Sequence, residues 1–256
     1  MKVMIHACPQ RMWYVEEFLA PELERQGADR VDIWCDRERK GNLRACMEAF
    51  ASCGTEGTGG LGLRPSGGGP HPPPSGAPSP GGKARTGERP AEDGTWHIQD
   101  DVLLCRDFVE RCRQHDEGVV YGFCNVEFTD DPLQTGRVSV EDAWHSFQCV
   151  RIPDAYAREC AAWLDGPGRT SGLYPVWIRS GKMDDDVFRT FLRDQHSRET
   201  VENLKPNLVD HIDWIIGGSI LSPWRGHIAR AYYWEDEDLV RELQEAVKGK
   251  VRYFDQ

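Results

Sequence analysis

CxxC pairs, long apolar runs and an excess of positive charge are all missing from this chain, and each absence removes a class of function. No run approaches the ~20 apolar residues of a membrane-spanning helix, and the apolar stretch in "MKVMIHACPQR" is too short for a signal peptide. The expectation is a cytoplasmic protein with no membrane partner. The nine cysteines are scattered, odd in number and without a CxxC pair, which favours reduced, mostly buried thiols over a disulfide framework. A formal net charge of -11 gives no general attraction for nucleic acid, so any such contact would need a local basic groove. Large apolar residues are also missing between Leu63 and Trp96, where "GGGPHPPPSGAPSPGG" dominates. Such a stretch cannot bury enough surface to offset its ordering entropy. Gly54 to Gly94 is therefore expected to be a disordered Gly/Pro-rich insertion in a loop, because the strand pattern resumes directly after it. A proline-rich ligand for a partner domain is the alternative.

What is present is ordinary for a globular domain: 256 residues, 39% hydrophobic and 29% charged, enough for one α/β domain with its own core. "KVMIHAC" has the β-rich look of a first strand, stopped by Pro9. "RMWYVEEFLAPELERQG" presents Trp13, Phe18 and Leu19 on a repeating face and stops at Gly27, as a helix does. "DRVDIWCDRE" is a second strand and "GNLRACMEAFASC" a second helix. "TWHIQDDV", "GVVYGFCNVEF" and "AWHSFQCVRIP" are further strands, the last followed by the helix "DAYARECAAWL" with Asp154 near its cap. This alternation predicts a single domain, residues 1–256, with a mostly parallel, Rossmann-like sheet flanked by helices. In such sheets ligands lie beyond the carboxyl ends of the strands.

"HIQDDV" places Gln99, Asp100 and Asp101 where a strand ends and a helix is expected to begin. Adjacent carboxylates repel unless a cation or hydrogen-bond donors lie between them. A Mg²⁺ or Mn²⁺ ion, which takes oxygen ligands and keeps substrate phosphates in its shell, would resolve this. Capping of the following helix would do so too. "LKPNLVDHIDWIIGGS" reads as a buried strand that nevertheless carries Asp210, His211 and Asp213. A core segment avoids such residues unless they have partners. His211 is either a satisfied core histidine or a ligand for a Mn²⁺-like ion.

The order strand, helix, strand, "QDD" knot and late "PNLVDH" resembles the GT-A type of nucleotide-sugar glycosyltransferases. In that superfamily a DXD-type motif and a late histidine hold the divalent cation on the donor diphosphate. The resemblance implies a GT-A-like fold, a Mn²⁺ or Mg²⁺ cofactor and a UDP-sugar donor. It makes Asp101 and His211 the metal ligands and gives Asp100 a supporting role or a contact with ribose or sugar. Gln99 stands where the family usually has an acid. Arg11 becomes a diphosphate contact, Asp36 the acid that reads the nucleoside, and Gly217, Gly218 and Ser219 a flexible flap over the donor. "GKMDDDVF" resembles the acidic start of the acceptor-side helix, where inverting members keep a general base. Asp185 is the first candidate and Asp186 the second, with Asp184 as N-cap, while Glu141 and Asp142 read as a solvated turn.

The acceptor is a hydroxyl group. Size, lack of an anchor and the insertion resemble phage- or virus-encoded glycosyltransferases, some of which sugar hydroxymethyl pyrimidines in DNA. That implies the host cytoplasm as location. Trp177, Trp224, Tyr232, Tyr233 and Trp234, with Arg225 and Arg230 nearby, suit stacking on bases and contact with phosphates. The same aromatics equally suit a core, and protein or glycan hydroxyls stay open as acceptors. Two other classes compete: a metal-dependent phosphohydrolase or nucleotidyltransferase, and a non-catalytic binding module in which the QDD knot only caps a helix.

Overall fold

Alternation along the first strand sets the architecture. In β1 (Lys2–Ala7), Val3, Ile5 and Ala7 point to one core cluster, so Met4 and His6 must point to the opposite face. Both faces therefore need cover, as a buried α/β sheet requires. The computed structural model describes residues 1–38, 41–54, 93–123, 136–143, 147–180, 184–213, 215–217 and 237–251. After β1, Pro9–Arg11 makes one 3-10 turn, and a continuous helical segment follows as α1 (Met12–Tyr14), a π-turn (Val15–Leu19) and α2 (Ala20–Arg25). Pro21 has no N–H and its ring crowds the carbonyl four residues back, which is the physical reason for a widened turn just before it.

The chain continues through β2 (Arg30–Cys35), α3 (Asn42–Ser52), β3 (Gly94–Gln99), β4 (Val102–Leu104), α4 (Phe108–Cys112), β5 (Val120–Tyr121), β6 (Gly136–Ser139) and β7 (Cys149–Pro153). Then come α5 (Asp154–Asp165), α6 (Tyr174–Ser180), α7 (Asp184–Gln195), β8 (Thr200–Asn203), β9 (Val209–His211) and α8 (Glu237–Ala246). Seven strands form one sheet in the order β2-β1-β3-β7-β5-β8-β6, with β7 and β6 running against the other five. The protein is thus α/β, with a mixed, mostly parallel sheet between helices.

The two cores lie on opposite faces of the sheet. One gathers the helix after β1, α4 and Leu243 and Val247 near the end of the described chain. The other gathers α3, α5 and α7 around Phe50, Trp163, Trp177 and Phe188. The connection from β1 to β2 thus runs over the first face, and α3, on the way from β2 to β3, covers the second. β2 and β3 flank β1 on opposite sides, so the two connections diverge and a crevice opens at the carboxyl ends of β1 and β3.

Several expectations are corrected. The QDD knot does not lead into a helix: Asp100 and Asp101 form a turn between β3 and β4, and α4 starts only at Phe108. Helix capping therefore does not explain the acid pair. The "PNLVDH" strand is three residues long and lies outside the main sheet, paired antiparallel with β4. The strand in "GVVYGFCNVEF" is described only over Val120–Tyr121. Gly94 belongs to β3, where a Cβ would fall 2.6 Å from the Arg151 guanidinium, so the expected insertion does not extend to it; residues 55–92 lie outside the described residues. Asp184 is the first residue of α7, not its cap. Trp177 is fully buried in the second core, where it cannot stack on a base. Six of the eight described cysteines are buried and none is paired. Among the described residues no helix is long and apolar enough to cross a membrane.

Ile5 is fully buried near the middle of β1, an interior strand of the sheet, facing the first core. Replacing it with Ala is expected to cost about 2–5 kcal/mol, read from the urea unfolding midpoint. A midpoint unchanged from the native protein would contradict this packing.

Candidate active site at the carboxyl ends of β1 and β3

Pro9 ends β1 and the 3-10 turn it starts carries Arg11 back beneath the surface, where the residue is 3% exposed. The guanidinium meets the turn after β3. Arg11 Nη1 donates to Asp100 Oδ1 at 3.0 Å and also to Asp101 Oδ2. The Cys8 N–H donates to Asp100 Oδ2 at 2.6 Å. From the other side β9 contributes His211, whose Nε2 lies 3.1 Å from Asp101 Oδ2. Two backbone features fix that approach: Val102 faces His211 in the β4–β9 register, and the Ile212 N–H donates to the Asp101 carbonyl at 2.8 Å. Asp210 Oδ1 in turn accepts the His211 N–H at 2.8 Å.

Charge orders this group. Burial pushes the Asp101 carboxyl up, but Arg11, then His211, outweigh it and hold the group well below the usual carboxylate range. Burial also dominates at Asp100, and with Asp101 beside it this carboxyl ends above its ordinary value despite Arg11. Burial disfavours the charged form of His211, yet Asp101 more than compensates and raises it to about 9. Counted as charged, Asp100, Asp101 and Asp213 carry three negative charges against the positive charges of Arg11 and His211, so the group retains an excess negative charge. Three buried atoms here have no hydrogen-bond partner among the described residues: Asp101 Oδ1, His211 Nδ1 and Asp213 Oδ1. Unpaired buried polar atoms of this kind are costly, and carboxylate oxygen and imidazole nitrogen are the donors a Mn²⁺-like ion accepts. Asp101 and His211 thus supply the oxygen and nitrogen atom types such an ion takes, the imidazole only after losing the proton that its pairing with Asp101 favours, but no three His, Cys, Asp or Glu side chains among the described residues have the geometry to hold one.

Above the acid pair lies a cleft of about 300 Å³ lined by His6, Cys8, Arg11, Trp34, Asp36, Asn42, Gln99, Asp100 and Asp101 among others. Asp36 holds the loop after β2 in place: its Oδ2 accepts the Gly41 N–H at 2.9 Å, and its own N–H donates to the Ala7 carbonyl at 3.1 Å. Gly41 has φ +93°, which favours glycine there. Arg11, Asp36, Asp100 and Asp101 are therefore gathered in one cleft, with His211 touching its floor through Asp101. Gly217, with φ +125°, lies in a turn after His211 and does not line the cleft. Gly218, Ser219, Trp224, Arg225, Arg230, Tyr232, Tyr233 and Trp234 lie outside the described residues.

The acidic start of α7 lies apart from the cleft lining. Asp186 accepts Trp177 Nε1–H at 2.6 Å and so anchors the core. Asp185 Oδ1 accepts the Asp186 N–H at 2.8 Å, and burial raises its carboxyl above the ordinary value. Asp184 is buried; burial, then the Asp185 charge, raises it to about 7, against a small opposing hydrogen bond from Asn42. That bond joins the helix start to the cleft, since Asn42 lines it. Glu141 and Asp142 are exposed in a turn, with Asp142 accepting the Ser139 hydroxyl.

His6, Trp34 and Asn42 also line the cleft, and none of them belongs to a motif that marks it in the sequence. The usable signal for His6 was its place in β1, one residue out of step with Val3, Ile5 and Ala7. Comparison with models of known protein families finds no match, and comparison with curated proteins finds none either.

Two outcomes follow from the electrostatics. Arg11→Met leaves two buried carboxylates without their guanidinium and is expected to cost about 3–5 kcal/mol at pH 7, a loss that shrinks in acid as the carboxyls protonate. Urea unfolding at pH 7 and pH 4 reads both. The Asp184 carboxyl has its folded pKa above its unfolded one, so its contribution is fully present below about pH 4 and is lost as pH rises through about 7. Asp184→Asn should therefore flatten that part of the stability profile and gain roughly 2–4 kcal/mol at pH 8. A variant whose profile still follows the native one between pH 4 and 8 would refute this assignment.

Proposed function

We propose that the chain is a GT-A-like, metal-dependent glycosyltransferase that moves a sugar from a nucleotide-sugar, UDP-linked in the first instance, to an acceptor hydroxyl. The observation that carries this reading is the acid pair Asp100–Asp101 lining one cleft with Arg11 beside it and His211 against Asp101 from behind, at the carboxyl ends of β1 and β3. Dinucleotides and nucleotide ligands favour such crevices in α/β sheets.

The residues divide the work by charge and reach. Asp101 and His211 would hold a Mn²⁺ or Mg²⁺ ion, and such ions commonly keep substrate phosphates among their ligands. When bound, the ion supplies Lewis-acid neutralisation of the departing nucleoside diphosphate. Arg11 offers a planar guanidinium suited to phosphate oxygens, and its present engagement with both carboxylates keeps it oriented at the cleft floor. Asp36 lies at the rim with a carboxylate able to accept from ribose hydroxyls. Asp185 is the better candidate base of the two, because its raised pKa makes it a stronger proton acceptor while Asp186 is tied to Trp177. The Asn42–Asp184 hydrogen bond gives α7 its link to the cleft.

The test is UDP release from a panel of UDP-sugars with Mn²⁺, with and without hydroxymethylated DNA, for the native protein, Asp101→Ala and His211→Ala. Metal-dependent release is expected to fall by roughly 100-fold or more in both variants. A rise on adding the DNA identifies the acceptor class, and phosphate release without sugar transfer identifies a hydrolase. Folded protein that neither releases UDP nor binds it in the presence of metal sinks the proposal.

A further inference from the structure

The floor of the cleft is a lateral row across three neighbouring strands. Trp34, His6 and Gln99 are partners in the β2-β1-β3 register, so their side chains share one face of the sheet at its carboxyl end, and all three line the cleft. Behind the row lies a polar chain inside an otherwise apolar core. His6 Nε2 is 2.9 Å from His97 Nδ1, and His97 Nε2 is 3.9 Å from the Cys53 sulfur. Cys53 in turn directs its thiol hydrogen at the Ala49 carbonyl, at 3.5 Å. Phe50 packs edge-on against both imidazoles, with its ring 4.9 Å from that of His97.

The direction of the chain follows from its buried end. The Cys53 thiol stays protonated, since burial pushes it up to about 12, and the nearer acceptor for its hydrogen is the Ala49 carbonyl, at 3.5 Å against 3.9 Å to His97 Nε2. Its sulfur can then only accept, so His97 Nε2 carries the hydrogen. Both imidazoles are neutral, His6 lowered to about 4 by burial and His97 lowered by burial and by His6. A neutral imidazole has one donor and one acceptor nitrogen. His97 Nδ1 is therefore an acceptor, His6 Nε2 the donor to it, and His6 Nδ1 a bare lone pair that no described residue engages.

We propose that His6 is a specificity-determining residue of this cleft, an acceptor whose Nδ1 takes a hydrogen bond from a ring N–H of the bound base. The site thereby selects uracil, whose N3 bears hydrogen, over cytosine, whose N3 bears a lone pair. This rests on the nucleotide-sugar reading of the same cleft. The Cys53–His97 chain makes the selection by fixing a tautomer: reversed, the same imidazole would present a donor and favour the other base. A lone pair set against a lone pair leaves both unsatisfied, which predicts a discrimination of roughly tenfold to a hundredfold.

Two measurements test it. Long-range ¹H–¹⁵N correlation on histidine-labelled protein, with His6 assigned by its loss in His6→Asn, should show the Nε2–H tautomer at both His6 and His97; an Nδ1–H tautomer at His6 overturns the proposal. Calorimetry with Mn²⁺ should show UDP bound more tightly than CDP and than N3-methylated UDP. His6→Leu should lose that preference, whereas His6→Asn, whose amide oxygen can stand near the Nδ1 position, should keep part of it. UDP and CDP bound alike by the native protein, or a preference undiminished in His6→Leu, overturns this inference and leaves the nucleotide-sugar reading standing. Absence of binding by any nucleoside diphosphate removes both.

Discussion

Two carboxylates side by side under the protein surface, Asp100 and Asp101, set the terms for everything around them. Neither could be buried charged without compensation, and the compensation comes from two separate stretches of chain: the Cys8 N–H and Arg11 guanidinium after β1, and the His211 imidazole from β9. The 3-10 turn at Pro9–Arg11, the tight β3–β4 turn and the short β4–β9 pairing all make sense as devices that bring positive charge and N–H groups to one point. That leaves a negative group with unpartnered oxygen and nitrogen atoms beneath a cleft of about 300 Å³ formed by strand ends, the turn after β1 and the start of α3.

The parts of the fold that could be read from the sequence are those governed by local pattern. β1, β2, α3, α5 and α7 follow from alternation, helical periodicity and stops at Pro9 and Gly27. The QDD and VDH segments drew notice because buried acids and histidine need partners, and the structure puts Asp101 and His211 in contact. What could not be read is non-local. Three-residue strands such as β4 and β9 carry too little alternation to stand out, and their pairing depends on each other, so a helix was expected where β4 lies. The role of Trp177 as a core side chain depends on the packing of α3, α5 and α7 against one another. The row Trp34–His6–Gln99 exists only once the register of three strands is set, and no window of the sequence contains it.

α3 connects the two halves of this arrangement. Its first turn, at Asn42, lines the cleft and meets Asp184, while Phe50 packs on the histidine pair and Phe147 and Phe188 further in. Cys53, just past its end, closes the polar chain from below. The helix thus touches the cleft rim, the layer beneath its floor and the second core, and a shift of α3 along its axis would change all three at once. Close packing of its buried face by rings opposes such sliding.

The pairing of β4 with β9 carries a temporal consequence. Asp101 and its histidine partner are separated by most of the second half of the chain, so the loop between them must close before the acid pair gains its second counter-charge. Loop closure of that kind is paid in chain entropy ahead of any contact. During synthesis the amino-terminal strands, with Arg11 and both aspartates, leave the ribosome first and can dock on one another. The histidine arrives late. Until it does, the nascent domain has a half-neutralised acidic pocket, and completion of the charge constellation coincides with closing of the topology rather than preceding it.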